Sequence, residues 1–206
     1  MLVKIESNWR NGLAGTQRLA SRENWRLVKQ PHIADHNSSL EKQLEKEIVN
    51  TLGADWVNQI PTSSGLIDGT ANKHCNIDLG HITSEGKYEL IELKVNSDFP
   101  LSAAFELLKY ATVYLFSRKF AEQLGYSREE KPLLFCDRVH LIVLAPYQYY
   151  SGYNVRWLES EFNRALAVKL TEESPAMDFR FEHFKIVDGE NDVADIIRSR
   201  KRLYSC

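Results

Sequence analysis

The chain has 206 residues, 43% of them hydrophobic and 26% charged, with a formal net charge of −2. That suits one globular domain with a real core and argues against disorder and low-complexity architectures. No apolar run approaches the ~18 residues of a membrane span. The near-neutral balance leaves any nucleic-acid binding to local patches. Met1-Leu2-Val3-Lys4-Ile5-Glu6 is too short and too charged for a secretory signal. Cys75, Cys136 and Cys206 are odd in number and unrelated in spacing, so a reducing cytoplasm is the expected setting.

Residues 1–37 have weak periodicity and read as an irregular or short-helical arm. Lys4, Arg10, Arg18, Arg22, Arg26 and Lys29 against Glu6 and Glu23 give the first thirty residues +4. Ser38 or Ser39 then opens a helix striped by Leu40, Leu44, Ile48 and Leu52 and closed near Gly53. Trp56 to Ile60 reads as a strand stopped by Pro61, with turn chemistry at Thr62-Ser63-Ser64-Gly65 and Asp68-Gly69. Strands are expected around 75–82 and 87–95, joined through Ser84-Glu85-Gly86. A long, broadly apolar helix follows over about 102–124, ending at Gly125. Val139 to Ala145 is a continuous apolar run, hence a buried strand. A helix near 155–171, a strand near 178–187 and a short helix in the tail complete the pattern. The tail carries Arg198, Arg200, Lys201 and Arg202. The order α-β-β-β-α-β-α-β implies an α/β fold, a mixed central sheet flanked by helices.

Alternation along a strand puts Leu90, Glu92 and Lys94 on one face and Ile91, Leu93 and Val95 on the other. Asp78, between Ile77 and Leu79 on the preceding strand, falls where pairing can set it beside Glu92. Such alternation also marks an ordinary half-exposed strand. Here, however, an apolar helix and an apolar strand follow, so the strand should be central and covered. Charges there are costly unless paired or bound to metal.

On these residues the chain resembles the PD-(D/E)XK nuclease superfamily. Asp78 corresponds to its acidic residue on the second strand and Glu92-Leu93-Lys94 to its acidic-X-Lys on the third. The resemblance spans residues 39–146, and Asn76-Ile77-Asp78 lacks the proline of the superfamily's name. It implies a restriction-endonuclease-like αβββαβ core with a C-terminal αβ extension, the nuclease-like domain covering 38–190 and a basic tail 191–206. It further implies hydrolysis of DNA phosphodiesters, with Mg²⁺ (Mn²⁺ substituting) held by Asp78, Glu92 and the Leu93 carbonyl, and Lys94 assisting the attacking water.

Many members also carry a metal-directed glutamate on the first helix. Glu41 is centred on the apolar stripe, within about 60° of Leu44, Ile48 and Leu52. It equally suits a capping box, in which case Glu45, about 40° away, is the substitute. Glu106 and Tyr110 match a Gln-x-x-x-Tyr pattern that contacts DNA in one branch, with glutamate replacing glutamine; Tyr110 also reads as a core aromatic. A homodimer is left open, as are a catalytically silent nucleic-acid-binding module and an enzyme acting on RNA or nucleotides. The tyrosines of Tyr147-Gln148-Tyr149-Tyr150 suit either base stacking or loop packing. His32 and His36 have zinc-like spacing but no third ligand nearby, and neither a nucleophile elbow nor a phosphate-cradling glycine loop is present.

Overall fold

A computed structural model describes residues 2–11, 20–30, 39–63, 66, 75–83, 87–96, 99–169, 174–185 and 192–204. His32, His36, Ser38, the Asp68-Gly69 turn and the Ser84-Glu85-Gly86 connection lie outside them. The helices are α1 (Leu2–Asn11), α2 (Leu40–Thr51), α3 (Pro100–Lys119), α4 (Arg156–Lys169) and α5 (Val193–Arg198). The strands are β1 (Trp56–Pro61), β2 (Asn76–Ile82), β3 (Tyr88–Leu93), β4 (Arg138–Pro146), β5 (Ala176–Phe184) and β6 (Lys201–Arg202). They form one sheet in sequence order, antiparallel at β1–β2–β3, parallel at β3–β4–β5 and antiparallel again at β5–β6. The expected α/β class and mixed sheet are thus present, and β6 is an addition to the expected pattern.

Two apolar layers sandwich the sheet. Helices α1, α3 and α4 cover Leu90, Leu141, Val143, Phe179 and Phe181. Helix α2, with Val193 of α5, covers Leu79, Ile91, Leu93, Ile142, Leu144 and Phe184 on the opposite side. Helix α3 is buried round much of its circumference, as its sequence required. Pro100 starts it at a position that needs no N–H; it ends at Lys119 with Phe120 as C-cap, five residues short of the expected end at 124, and Gly125 (φ +71°) closes the turns that follow. Gly80 is the place where β2 and β1 press closest: a Cβ there would lie 2.6 Å from Ile60 Cδ1. The N-terminal stretch is bound to the body rather than trailing from it. Trp9 packs edge-on against Phe116 and Trp25 against Tyr114, both indoles being buried. Among the described residues no helix is long and apolar enough to cross a membrane.

The regular alternation of β1 and β2 is broken at one level. Asn58 pairs with Leu79 and Ile60 with Ile77, leaving Gln59 opposite Asp78. Gln59 adopts φ +50°, in the left-handed region. As a result the consecutive side chains of Asn58 and Gln59 both reach α2, while Val57 and Ile60 both enter the layer under α3. The same switch sends Ile77 and Leu79, two residues apart, to opposite layers.

Candidate active site

The β2–β3 register pairs Leu79 with Ile91, so one step on Asp78 stands opposite Glu92. Glu92 and Lys94 share the face of Leu90, as alternation requires, and lie under α3. The Lys94 ammonium sits 2.9 Å from Glu92 Oε1 and 3.7 Å from Glu106 Oε2 on α3. The Lys94 amide continues the sheet by donating to the Leu144 carbonyl, which fixes the backbone where β3 ends. Asp78 is held by two bonds: Oδ2 accepts the Leu93 amide and Oδ1 accepts the Lys42 ammonium, each at 3.0 Å. The three residues expected to converge from β2 and β3 do so.

Glu92 is 3% exposed, and its Oε2 has no hydrogen-bond partner among the described residues. Burial, with the neighbouring Asp78 carboxylate, pushes its pKa well above the ordinary value against the pull of Lys94. Burial opposes the charge on Lys94, yet Glu92, Asp78 and Glu106 together raise its pKa and keep it an ammonium. The group therefore gathers more acids than ammoniums in a desolvated place, and Glu92 answers by holding its proton. An orphaned carboxylate oxygen there costs free energy that a cation would recover.

Helix α2 supplies two glutamates with different duties. Ser39 is the N-cap, accepting the Lys42 amide, and its hydroxyl donates to Glu41 Oε2 at 3.0 Å. Glu41 Oε1 accepts the amides of Val95 and Asn96, pinning the backbone just beyond Lys94. Glu41 thus ties the end of β3 to the start of α2. Glu45 is the one that turns inward. It is fully buried, accepts from Asn58 at 2.9 Å and Gln59 at 3.0 Å, and pairs with Lys42 at 2.7 Å. Burial pushes its pKa up to about 7, with Lys42 opposing and Asp78 adding to the rise. Lys42 bridges Glu45 and Asp78, and these two carboxylates raise its own pKa although burial works against it. Nothing in the sequence marks Lys42: its spacing is that of any solvated lysine on a helix.

Tyr110, expected at the cleft, is buried at 1% exposure, and its hydroxyl donates to Glu106 Oε1 at 3.0 Å. It does not line an accessible surface; it holds Glu106 toward Lys94. Tyr150 is likewise internal, its single hydroxyl proton shared between the carbonyls of Val143 and Glu182, whereas Tyr147 is exposed.

A second charged group, missed in the sequence, lies at the other end of β3 on its other face. Arg180 and Arg200 alternate with Glu89 and Glu182 in a closed set of ion pairs between 2.6 and 3.2 Å. His81 donates or accepts at Glu89 and stacks on Trp56. Burial would raise the Glu89 pKa, but His81 and Arg200 hold it down to about 2. An open cavity of about 440 Å³ lies over this group, lined by Leu52, Trp56, His81, Arg198 and Arg200 among others. This cavity is therefore not where the excess of acids is. We take charge imbalance as the better guide, because in the cavity each buried acid already has its guanidinium.

As a cation site, the Asp78–Glu92 group offers two carboxylates and the nearby Leu93 backbone. Among the described residues no three acidic, histidine or cysteine side chains form a ready coordination shell. Mg²⁺ is commonly bound through one or two carboxylates with several retained waters, so this set fits magnesium and not zinc. Comparison with family models, with curated proteins and with solved structures returned no match.

Proposed function

We propose that the protein is a metal-dependent nuclease of the PD-(D/E)XK kind, hydrolysing phosphodiester bonds in DNA at Asp78, Glu92 and Lys94, in a reducing cytoplasm. The observation that carries this reading is Glu92 Oε2, a buried carboxyl oxygen without a hydrogen-bond partner among the described residues, beside the Asp78 carboxylate and with an ammonium on its other oxygen. Asp78 and Glu92 would hold Mg²⁺, which when bound supplies polarisation of the scissile phosphate and a lowered pKa for the attacking water. Lys94 is positioned from both sides, by Glu92 and by Glu106. It orients that water and offsets charge developing on the phosphate oxygens. Tyr110 keeps Glu106 in place, and Glu41 keeps the backbone after Lys94 from shifting. Glu45 acts through Lys42, which steadies Asp78.

Lys94→Ala is expected to lower Mg²⁺-dependent cleavage of plasmid and linear DNA by about 100-fold or more, with an unchanged far-UV spectrum. Cleavage at the parental rate would overturn the assignment. A second reading, a nucleic-acid-binding module without hydrolysis, is favoured by one observation: the Lys42 ammonium already supplies a cation to Asp78. Calorimetry with Mg²⁺ and Mn²⁺ separates the two, since only the enzyme takes up the metal and loses that uptake in Glu92→Gln.

A further inference from the structure

Five aromatic rings are exposed among the described residues: Phe99, Tyr147, Tyr153 and Trp157 follow from the connections at one end of the sheet, and Phe105 lies about a turn and a half into α3. That end of the sheet is the one at which β3 delivers Lys94. Phe99 is the residue before α3, which starts soon after β3, and Tyr147 follows directly on β4, the parallel neighbour of β3. Helix α4 runs back along β5. Its Glu159 carboxylate meets the Phe181 amide and its Asn163 the Phe179 backbone, which puts Trp157 beyond Glu159 toward the same end. Leu101, also exposed, extends the apolar rim by half a turn of α3.

These rings are braced rather than loose. Phe105 meets Phe162 edge-on at 5.6 Å, Phe162 meets Phe179 at 5.1 Å, and Phe179 meets Phe181 at 5.0 Å. An exposed ring anchored on a buried ladder loses little freedom when something stacks on it. Phe105 (53% exposed) and Trp157 (57%) present ring surface to solvent, and Phe105 stands next to Glu106, the partner of Lys94.

We propose that this rim binds unpaired nucleotides, so that the substrate of the candidate active site is a single-stranded or locally unwound strand. The inference rests on the nuclease reading for what happens at Lys94, but the binding itself does not. A duplex hides its base faces and must be gripped through phosphates by a basic surface. Here the site is acidic, with Asp78, Glu92, Glu106 and Glu45 against Lys42 and Lys94, and the chain as a whole is at −2. An unpaired strand instead offers π-faces that stack on aromatic side chains, with only intermittent need for cations. Arg156, beside Trp157 and stacked over Tyr204, is one such cation.

Trp157 reports the binding. The chain has four tryptophans, and Trp9, Trp25 and Trp56 are buried, so accessible indole fluorescence comes from Trp157. In EDTA, an oligothymidylate or an oligouridylate should quench it saturably, while a blunt hairpin duplex of equal charge should not. Trp157→Phe should remove the quench yet keep binding by anisotropy. Phe105→Ala, with an unchanged far-UV spectrum, should weaken binding about tenfold. Preference between the two oligonucleotides assigns DNA or RNA. Equal or stronger response to the hairpin, no response to either strand, or emission that shifts with protein concentration alone would each overturn the proposal, the last by giving the rim to a second copy. Because no metal is present, quenching without later cleavage sinks the hydrolytic reading alone. Cleavage of duplex without quenching sinks this one alone.

Discussion

Strand β3 carries two buried glutamates three positions apart, and the chain treats them in opposite ways. Glu89 faces the α2 layer, where two guanidiniums and a histidine surround it, and its pKa falls to about 2. Glu92 faces α3, where one lysine serves it together with Asp78 and Glu106, and its pKa rises. Around Glu89 two acids meet two arginines, and the balanced set behaves as structure. Around Glu92 the acids outnumber the ammonium, and on the proposed reading that imbalance is what a bound cation would offset. Burial alone does not separate the two: both are nearly inaccessible. The ratio of opposite charges does.

The comparison is broken most directly by Arg200→Ala. Removing that guanidinium leaves Glu89 and Glu182 buried with half of their compensation, and should cost about 3–5 kcal/mol in urea unfolding. A loss near that of a surface substitution would mean the set is not structural. The pH dependence sharpens the contrast. Glu45, on the acidic side of the comparison, has its pKa raised from 4.5 to about 7. The folded protein therefore holds this proton more tightly than the unfolded chain does. Its contribution is full below 4.5 and is lost as pH rises through about 7. Glu89 has the opposite sign: its contribution is present above 4.5 and is lost as pH falls toward 2. Glu45→Gln should thus remove the decline on the neutral side. The difference in unfolding free energy between it and the parent should change by on the order of 3 kcal/mol from about pH 4 to about pH 8. No change in that difference would show Glu45 fully compensated, like Glu89. The smallest effect belongs to Arg198, whose pair with Asp195 is exposed on both sides. Arg198→Ala should alter stability by less than about 0.5 kcal/mol, so a larger loss in the same titration would extend the structural set outward.

Much of the fold and half of the site were legible because the signals were local. Period-two alternation put Glu92 and Lys94 on one face, and apolar runs marked β3, β4 and α3 as central. What escaped notice depends on partners far along the chain. Lys42 finds Asp78 across 36 residues, and Arg200 finds Glu89 across 111. Glu41 and Glu45 lie on the same stripe of α2, and no helical wheel tells which turns inward; Asn58 and Gln59 decide it by offering Glu45 their amides. Tyr110 was placed on the correct helix face, but the depth of that face is a property of α3 against the sheet. The weak pattern of the N-terminal residues concealed Trp9 and Trp25, since an isolated aromatic anchor has no period to read.

The left-handed turn of backbone at Gln59 has a wider consequence. By reversing the handedness of alternation for one residue, it hands two neighbouring amides to Glu45 and returns Ile60 to the opposite apolar layer. Ionic wiring and packing are thereby uncoupled at that level of β1: polar groups on the α2 side can be retuned without repacking the core beneath α3. A single-residue deletion there would fuse the two again, forcing an amide into oil or an isoleucine among carboxylates.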